Sequence, residues 1–593
     1  MFTKNEKECN MNKSINKQEC DILTALVNEP FINQRILAES SGHSLGIVNR
    51  SIKSLINEGY LDERMVPTAM AREEFKRRSP KNAIILAAGF GMRMVPINME
   101  TSKGLIRVDG EPLIERTIKQ LHEVGITEIY IVVGFMKEQY EYLMDLYGVE
   151  LIVNPAYASK NNLYSVKLAL EHLSNSYIIP CDIWCNQNPY NRNELYSWYM
   201  VSDLIDDDST VRVNRKNELV TVQDGVGGNA MIGICYLEEE DAACVKAKIE
   251  SLCRDSRYDN SFWEEALYAK DKMTIQARVV SSANVVEINT YEQLRDLDED
   301  SDHLKSDAIE AICKALNVRQ GDIVDITVLK KGMTNRSFLF SCKGQKYIMR
   351  IPGEGTDQLI NRREEAFVYQ AIMDYKISDD VIYINPDNGY KLTRFIENVR
   401  CCDADCADDL ERCMAKLRDF HNMKLKVDHS FDIFEKIDFY ESLWGDNKSA
   451  YTDYEHTKEN VFGLRKYIDQ HACEHVLTHI DAVPDNFLFS GDEVRLIDWE
   501  YAGMQDPHVD IAMFCIYSLY NKAQVDRLID IYFEGKCDEA VRIKIYCYIA
   551  CCGLLWSNWC EYKRQLGVEF GEYSLRQYRY AKDYYKIVSE LIG

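Results

Sequence analysis

No run of about 18 consecutive apolar residues occurs in this 593-residue chain, which argues against a transmembrane helix. The opening residues, MFTKNEKECNMNK, lack the apolar core of a secretion signal. The 20 cysteines include no paired CxxC spacing of the kind that binds zinc, and they are scattered. A cytoplasmic protein with reduced thiols and no membrane partner is the expectation. Internal repeats and low-complexity tracts are absent as well. Positive charge is scarce: 70 Lys+Arg stand against 95 Asp+Glu, a net charge of -25. The chain as a whole is therefore unsuited to coating a nucleic-acid backbone. The first eighty residues are the exception, with 12 Lys+Arg against 11 Asp+Glu. Any contact with DNA belongs there.

What is present is ordinary globular composition, 46% hydrophobic and 28% charged, at a length that needs several cores. Three segments are expected, 1–80, 81–298 and 299–593. In the first, ECDILTALVNEP has helical spacing, Asn33 opens a second helix that Gly42 ends, and Ser44 opens a third. That third helix has Ile47, Ile52, Leu55 and Ile56 on its apolar face. Followed by the short extended YLDERMVPT, the segment resembles a winged helix-turn-helix (α+β). In that fold the third helix enters the major groove, here with Asn49, Arg50 and Lys53, so DNA is a candidate partner. A dimerisation or interaction module is the alternative use of the same fold.

The second segment alternates strands and helices: NAIILAAG, ERTIKQLHEVG, EIYIVVG, SVKLALEHL, YIIPCD. Such alternation predicts a Rossmann-like α/β domain, its sheet mixed but mostly parallel, with ligands at the carboxyl ends of its strands. LAAGFGMRM supplies Leu86, Ala87, Ala88, Gly89 and Gly91 for a turn whose amides face phosphate, and Arg93 adds charge. Lys103 follows ten residues after Arg93, in TSKGLIRVDGEPLIER. LAAGxGxR, this lysine and G-x-P-L-I-E together resemble the sugar-phosphate and phosphocholine nucleotidyltransferases. Gly104 stands where that family commonly has proline. The resemblance implies Mg²⁺ held by Asp182 and a second ligand in Glu287-Ile288-Asn289, where the family often has E-I-D; Glu287 is the candidate. VNPAYASKNNLYSVKLAL looks like the phosphocholine cytidylyltransferase branch. A quaternary ammonium is held by aromatic faces and carboxylates. Asn161, Tyr164, Trp184 and Trp263 are the candidates around phosphocholine.

The third segment follows a charged helical stretch, YEQLRDLDEDSDHLKSD, read as a linker. VLTHIDAVPDNFLFSGDEVRLIDWEYAGMQDP contains His479-x-Asp481-x4-Asn486, with Asp498 twelve residues further on. This is kinase-like spacing: Asp481 takes the hydroxyl proton, while Asn486 and Asp498 hold Mg²⁺ on the phosphates. Upstream, Gly332, Thr334 and Asn335 sit at a phosphate-covering turn. Arg350 stands where protein kinases have lysine, with Glu364, or alternatively Glu365, as its expected partner. The segment resembles bacterial choline kinases, a bilobal kinase-like α+β fold, and the resemblance implies choline held against Trp556 and Trp559. Together the halves are expected to use ATP to make phosphocholine from choline, and CTP to make CDP-choline from phosphocholine. A sugar or aminoglycoside-type kinase fused to a sugar-1-phosphate nucleotidyltransferase is the alternative pair, and a choline-responsive DNA-binding regulator the alternative role.

Overall fold

The computed structural model describes residues 15–28, 33–91, 94–97, 101–207, 209–223, 225–329, 335–353, 359–566, 568 and 570–593. The chain forms two compact units, Met1–Ile309 and Glu310–Gly593.

The first unit opens with four helices, α1 (Lys17–Asn28), α2 (Gln34–Ser41), α3 (Leu45–Asn57) and α4 (Ala69–Arg78). Asn33 caps α2 by accepting from the amides of Arg35 and Ile36, and Gly42 ends it at φ 69°. The wing is a single bridge between Leu61 and Pro67. On α3 the buried face differs from the expected one. Val48, Ser51, Ile52 and Leu55 point inward, while Ile47 and Ile56 are only half-buried. The helix is rotated by about one residue, because Val48 shares a face with Ile52 and Leu55 at i+4 and i+7. Asn49, Arg50 and Lys53 are exposed.

The same unit continues into a mixed ten-stranded sheet. Strands Glu150–Val153, Glu128–Val133, Asn82–Ala87 and Ser176–Pro180 lie side by side and parallel. Strand Gly228–Leu237 then joins antiparallel to Ser176–Pro180, and Trp198–Asp206 and Lys272–Val280 extend the sheet. A separate two-stranded antiparallel sheet pairs Ile183–Cys185 with Val285–Glu287. The charged stretch expected as a linker is instead packed. Tyr291 and Leu294 are fully buried, and the Tyr291 hydroxyl bonds the Leu304 carbonyl at 3.0 Å. Its apolar i, i+3 pair was hidden among acidic residues.

The second unit has a five-stranded antiparallel sheet, in order Ile323–Val328, Asn335–Cys342, Gln345–Pro352, Lys391–Arg394, Val381–Ile384. Helix Arg362–Ile372 accompanies it, and a helical lobe follows. The lobe is organised around helix Glu539–Gln565. This helix is long and apolar enough to cross a membrane, yet 83% of its apolar window is buried inside the protein. It is a core helix, packed against Glu572–Ile592, His508–Tyr517 and Ile433–Ser442.

Candidate functional sites

In the first unit, a cavity of about 930 Å³ opens at the carboxyl ends of the parallel strands. Leu86, Ala88, Gly89 and Gly91 line it, whereas Ala87 is turned into the core. Gly91 has φ +60°, and a Cβ there would press on the Lys103 side chain at 3.4 Å. Gly104 has a packing reason too: a Cβ would meet Cys181 and the Tyr140 hydroxyl at 3.1 Å. Arg93 lies outside the described residues.

Lys103 is the electrostatic centre of this cavity. Its ammonium pairs with Asp182 and donates to Asn289 Oδ1 at 2.7 Å. Burial works against its charge, but the Asp182 carboxylate outweighs burial and holds the lysine above its ordinary value. Asp182 Oδ1 is buried and has no hydrogen-bond partner among the described residues. Glu287 and Asn289 arrive beside it because Glu287 pairs with Ile183, and the Ile288 amide bonds the Asp182 carbonyl at 3.0 Å. Asp182, Glu287, Asn289 and Lys103 all line the cavity. The asparagine at the usual aspartate position therefore serves the lysine.

The expected phosphocholine residues divide. Asn161 lines the cavity, but its side chain caps helix Asn162–Leu168 and bonds the Asn260 carbonyl at 3.1 Å. Trp263 lines the cavity and is 1% exposed. Tyr164 and Trp184 are not cavity walls. The Tyr164 ring is covered by Lys160 and Lys167, each 5.2 Å from its centroid, and Trp184 lies under the Arg116 guanidinium at 5.5 Å. Period alone did not say which way either ring faced.

The residue that sequence reasoning missed is Glu264. It lines the cavity beside Trp263 and accepts from the Tyr199 hydroxyl at 2.9 Å, while its Oε2 is buried and unpartnered among the described residues. Burial pushes its carboxyl up to about 7. The signal was present in SFWEEAL, a pair of acids directly after two aromatics. Tyr157, Phe90 and the 61% exposed Phe262 complete an aromatic rim.

In the second unit, Asp481, Asn486 and Asp498 converge as the spacing required. Asn486 Nδ2 donates to the Asp481 carbonyl at 2.9 Å and to its Oδ2 at 3.1 Å. The Ile497 amide bonds the Asn486 carbonyl, and His479 Nε2 lies 2.9 Å from the Ile497 carbonyl. These bonds tie the catalytic loop to the strand end that presents Asp498. Ile480 at φ 71° and Asp498 at φ 67° hold left-handed backbone at this crossing. Burial, then the charges of Asp498 and Glu500, push the Asp481 carboxyl up to about 8. Burial also neutralises His479, bringing it down to about 4. Asp510 accepts the amides of His479 at 3.0 Å and Ile480 at 2.7 Å, and it lies 2.9 Å from His421 Nε2.

Arg350 is buried and bonds Glu365, with Nη2 to Oε2 at 2.9 Å, and the Gly389 carbonyl at 3.0 Å. Glu364 is not its partner: one position earlier on helix Arg362–Ile372, it is half-buried on another face. Gly332 and Thr334 lie outside the described residues, and Asn335 begins strand Asn335–Cys342 with its side chain undescribed.

Trp556 and Trp559 are buried together on helix Glu539–Gln565, centroids 5.4 Å apart at 72°. Tyr501 sets its ring edge-on to Trp556 at 5.7 Å, and Phe570 lies 5.3 Å from Trp559. Buried Tyr440 and half-buried Tyr501 and Tyr573 all feel the charge of Asp481. Several tyrosines thus lie within electrostatic reach of Asp481, where sequence spacing pointed to two tryptophans alone.

Comparison with known proteins follows this division. A winged helix-turn-helix DNA-binding model matches residues 15–62, a MobA-like NTP transferase model 83–190, and a choline/ethanolamine kinase model 326–531. Choline-phosphate cytidylyltransferase of Streptococcus pneumoniae is 31% identical over 229 residues, 37% of this chain and 96% of that protein. Protein LicA of Haemophilus influenzae is 29% identical over 275 residues, 44% of this chain and 100% of its own length. The crystal structure of choline kinase LicA from Streptococcus pneumoniae is 27% identical, covering 47% of this chain and 96% of that one at a TM-score of 0.42. The chain belongs to the choline-phosphate cytidylyltransferase family, joined in one polypeptide to a winged helix-turn-helix before that domain and a choline/ethanolamine kinase domain after it.

Proposed function

We propose that this bifunctional enzyme phosphorylates choline with ATP and then transfers CMP from CTP to phosphocholine, releasing pyrophosphate. In the kinase site the choline hydroxyl gives its proton to Asp481 as its oxygen bonds the γ-phosphorus and the bond to ADP breaks. Asn486 orients Asp481 for this task by donating to its Oδ2 at 3.1 Å. Asp510 positions it by gripping the preceding amides. In the transferase site a phosphate oxygen of phosphocholine bonds the α-phosphorus of CTP as the bond to pyrophosphate breaks. That oxygen is already anionic, so Lys103 and the loop from Leu86 to Gly91 supply orientation and charge rather than a base.

Both sites suit Mg²⁺. Asp182 offers a buried oxygen, unpartnered among the described residues, with Glu287 nearby, and Asn486 commits its amide nitrogen to Asp481, leaving its oxygen to join Asp498. Bound Mg²⁺ would neutralise and align the nucleotide phosphates.

The observation that carries the reading is Glu264, a buried carboxylate beside Trp263 whose Oε2 has no hydrogen-bond partner among the described residues, in the cavity that holds Lys103 and Asp182. A trimethylammonium donates no hydrogen bond, and this combination of charge and ring faces suits it. Purified protein given choline, ATP, CTP and Mg²⁺ is expected to make CDP-choline. Phosphocholine without CDP-choline would remove the transferase half. The chemistry and the free thiols of the described cysteines fit the cytoplasm.

DNA binding is a further role, supported by the matched model and by the exposed Asn49, Arg50 and Lys53 on α3. A gel shift that weakens with salt and with Arg50→Ala and Lys53→Ala tests it.

A further inference from the structure

The winged helix is built into the transferase domain, not tethered to it. Leu195 of that domain is 1% exposed and belongs to the same apolar cluster as Ile22, Val48 and Leu55. Asp21 of α1 accepts from the Tyr196 hydroxyl at 2.6 Å. Arg78, the last residue of α4, is buried; its guanidinium bonds the Leu195 carbonyl at 3.0 Å and Glu238 at 3.1 Å. Its own carbonyl accepts the Tyr236 hydroxyl.

One of these partners, Tyr236, lies on a strand that also walls the cavity. Tyr236 is on Gly228–Leu237, whose Met231, Ile232 and Gly233 line the cavity. Opposite Tyr236 in the ladder is Tyr177, ring centroids 5.3 Å apart, on Ser176–Pro180, the strand that leads into Asp182. Between their ends the strands touch tightly, since a Cβ on Gly233 would come within 2.6 Å of the Pro180 ring. Three residues of strand, about 10 Å, separate Tyr236 from the cavity wall at Gly233. Tyr177 also bonds Glu194 at 3.0 Å, and Glu194 pairs with Arg278 at 2.8 Å, so this end of the ladder is rigidly cross-braced.

We infer that the winged helix reads the occupancy of the transferase cavity: nucleotide or CDP-choline bound against Asp182 and Gly233 changes the affinity of α3 for DNA through Tyr236 and Arg78. The inference rests on the DNA-binding and transferase readings above. It makes the chain a regulator that senses the state of its own reaction. Linkage requires the effect to be reciprocal, DNA changing ligand affinity by the same factor.

The test uses the full chain and labelled duplexes tiled across the DNA that precedes its own coding sequence, with and without saturating CDP-choline and Mg²⁺. Calorimetry of CDP-choline on the same protein checks cavity binding independently. The expected result is a change in DNA affinity of about fivefold or more. Tyr236→Phe, which loses the hydroxyl's bonds to the Arg78 carbonyl and to Asn175 Oδ1, should keep turnover and ligand-free DNA affinity while reducing the ligand effect below about twofold. DNA affinity that is identical with and without bound CDP-choline overturns the coupling alone. A full ligand effect in Tyr236→Phe overturns the proposed route. No binding to any duplex at low salt overturns the DNA reading and this inference with it, and no calorimetric binding overturns the transferase reading.

Discussion

Arg350 takes Glu365, not Glu364, as its carboxylate, with Nη2 2.9 Å from Oε2 and both side chains buried. Burial works against the Glu365 charge, and Arg350 more than offsets it, holding the carboxyl below its ordinary value. Arg362 joins the same carboxylate at 3.1 Å and links it to Glu500 at 3.2 Å. Removing one partner of such a pair leaves a buried charge and costs about 3–5 kcal/mol. Glu365→Ala should therefore lower both the thermal midpoint and choline kinase turnover. Glu364→Ala should change stability by about 0.5 kcal/mol or less. Equal effects of the two substitutions on kinase turnover would contradict the pairing.

Glu264 gives the transferase a pH signature. Its carboxyl sits at about 7 through burial, so the anion proposed to attract a trimethylammonium forms as pH rises through about 7. Phosphocholine KM is expected to fall between pH 6 and pH 8 by about tenfold, and Glu264→Gln should flatten that profile. The sign for stability is the opposite. The folded state holds this proton more tightly than the unfolded chain, so the group costs stability as pH rises from the unfolded value, about 4.3, to about 7. Glu264→Gln should accordingly melt higher than the parent at pH 8, measured by calorimetry.

Two magnesium-site substitutions separate the reactions. Asp182→Asn should lower CMP transfer by about a hundredfold or more and leave choline phosphorylation intact. Asp498→Asn should do the reverse. Each variant is assayed for both products, ADP and pyrophosphate, and EDTA should stop both reactions. An Asp182→Asn protein with parental CMP transfer would remove Asp182 from the chemistry.

Trp556→Ala should raise choline KM by about tenfold, the order of one strong cation–π contact, with ATP KM unchanged. Trp556 also packs in the core, where its Nε1 lies 3.1 Å from Met513 Sδ, so Trp556→Phe separates packing from ring loss. The phenylalanine variant should recover most of the choline affinity. If the alanine variant instead kept its choline KM, a sugar-type acceptor would be favoured.

Asp510 is expected to act through Asp481. Its carboxylate takes two loop amides, and Asp510→Asn retains the shape with half the acceptor capacity. Kinase kcat should fall by about tenfold or more with choline KM nearly constant. A change confined to KM would contradict a positioning role.

Local order carried much of this protein in plain view. The cap Asn33, the stop Gly42, the strand before Gly89 and the spacing from His479 to Asp498 are short-range, because caps, turns and catalytic loops depend on neighbouring residues. Long-range choices were different. The orientation of Tyr164 and Trp184, the choice of Glu365 over Glu364, the burial of Glu264 and the packing of the stretch around Tyr291 each depend on what lies opposite. So does the joining of Arg78 to Tyr236, residues 158 positions apart. Chain order alone determined the chemistry available, a glycine-bearing loop, a lysine and clustered carboxylates. Only tertiary packing decided which oxygens are buried and unpaired, because desolvation is set by neighbours that the sequence brings from far away.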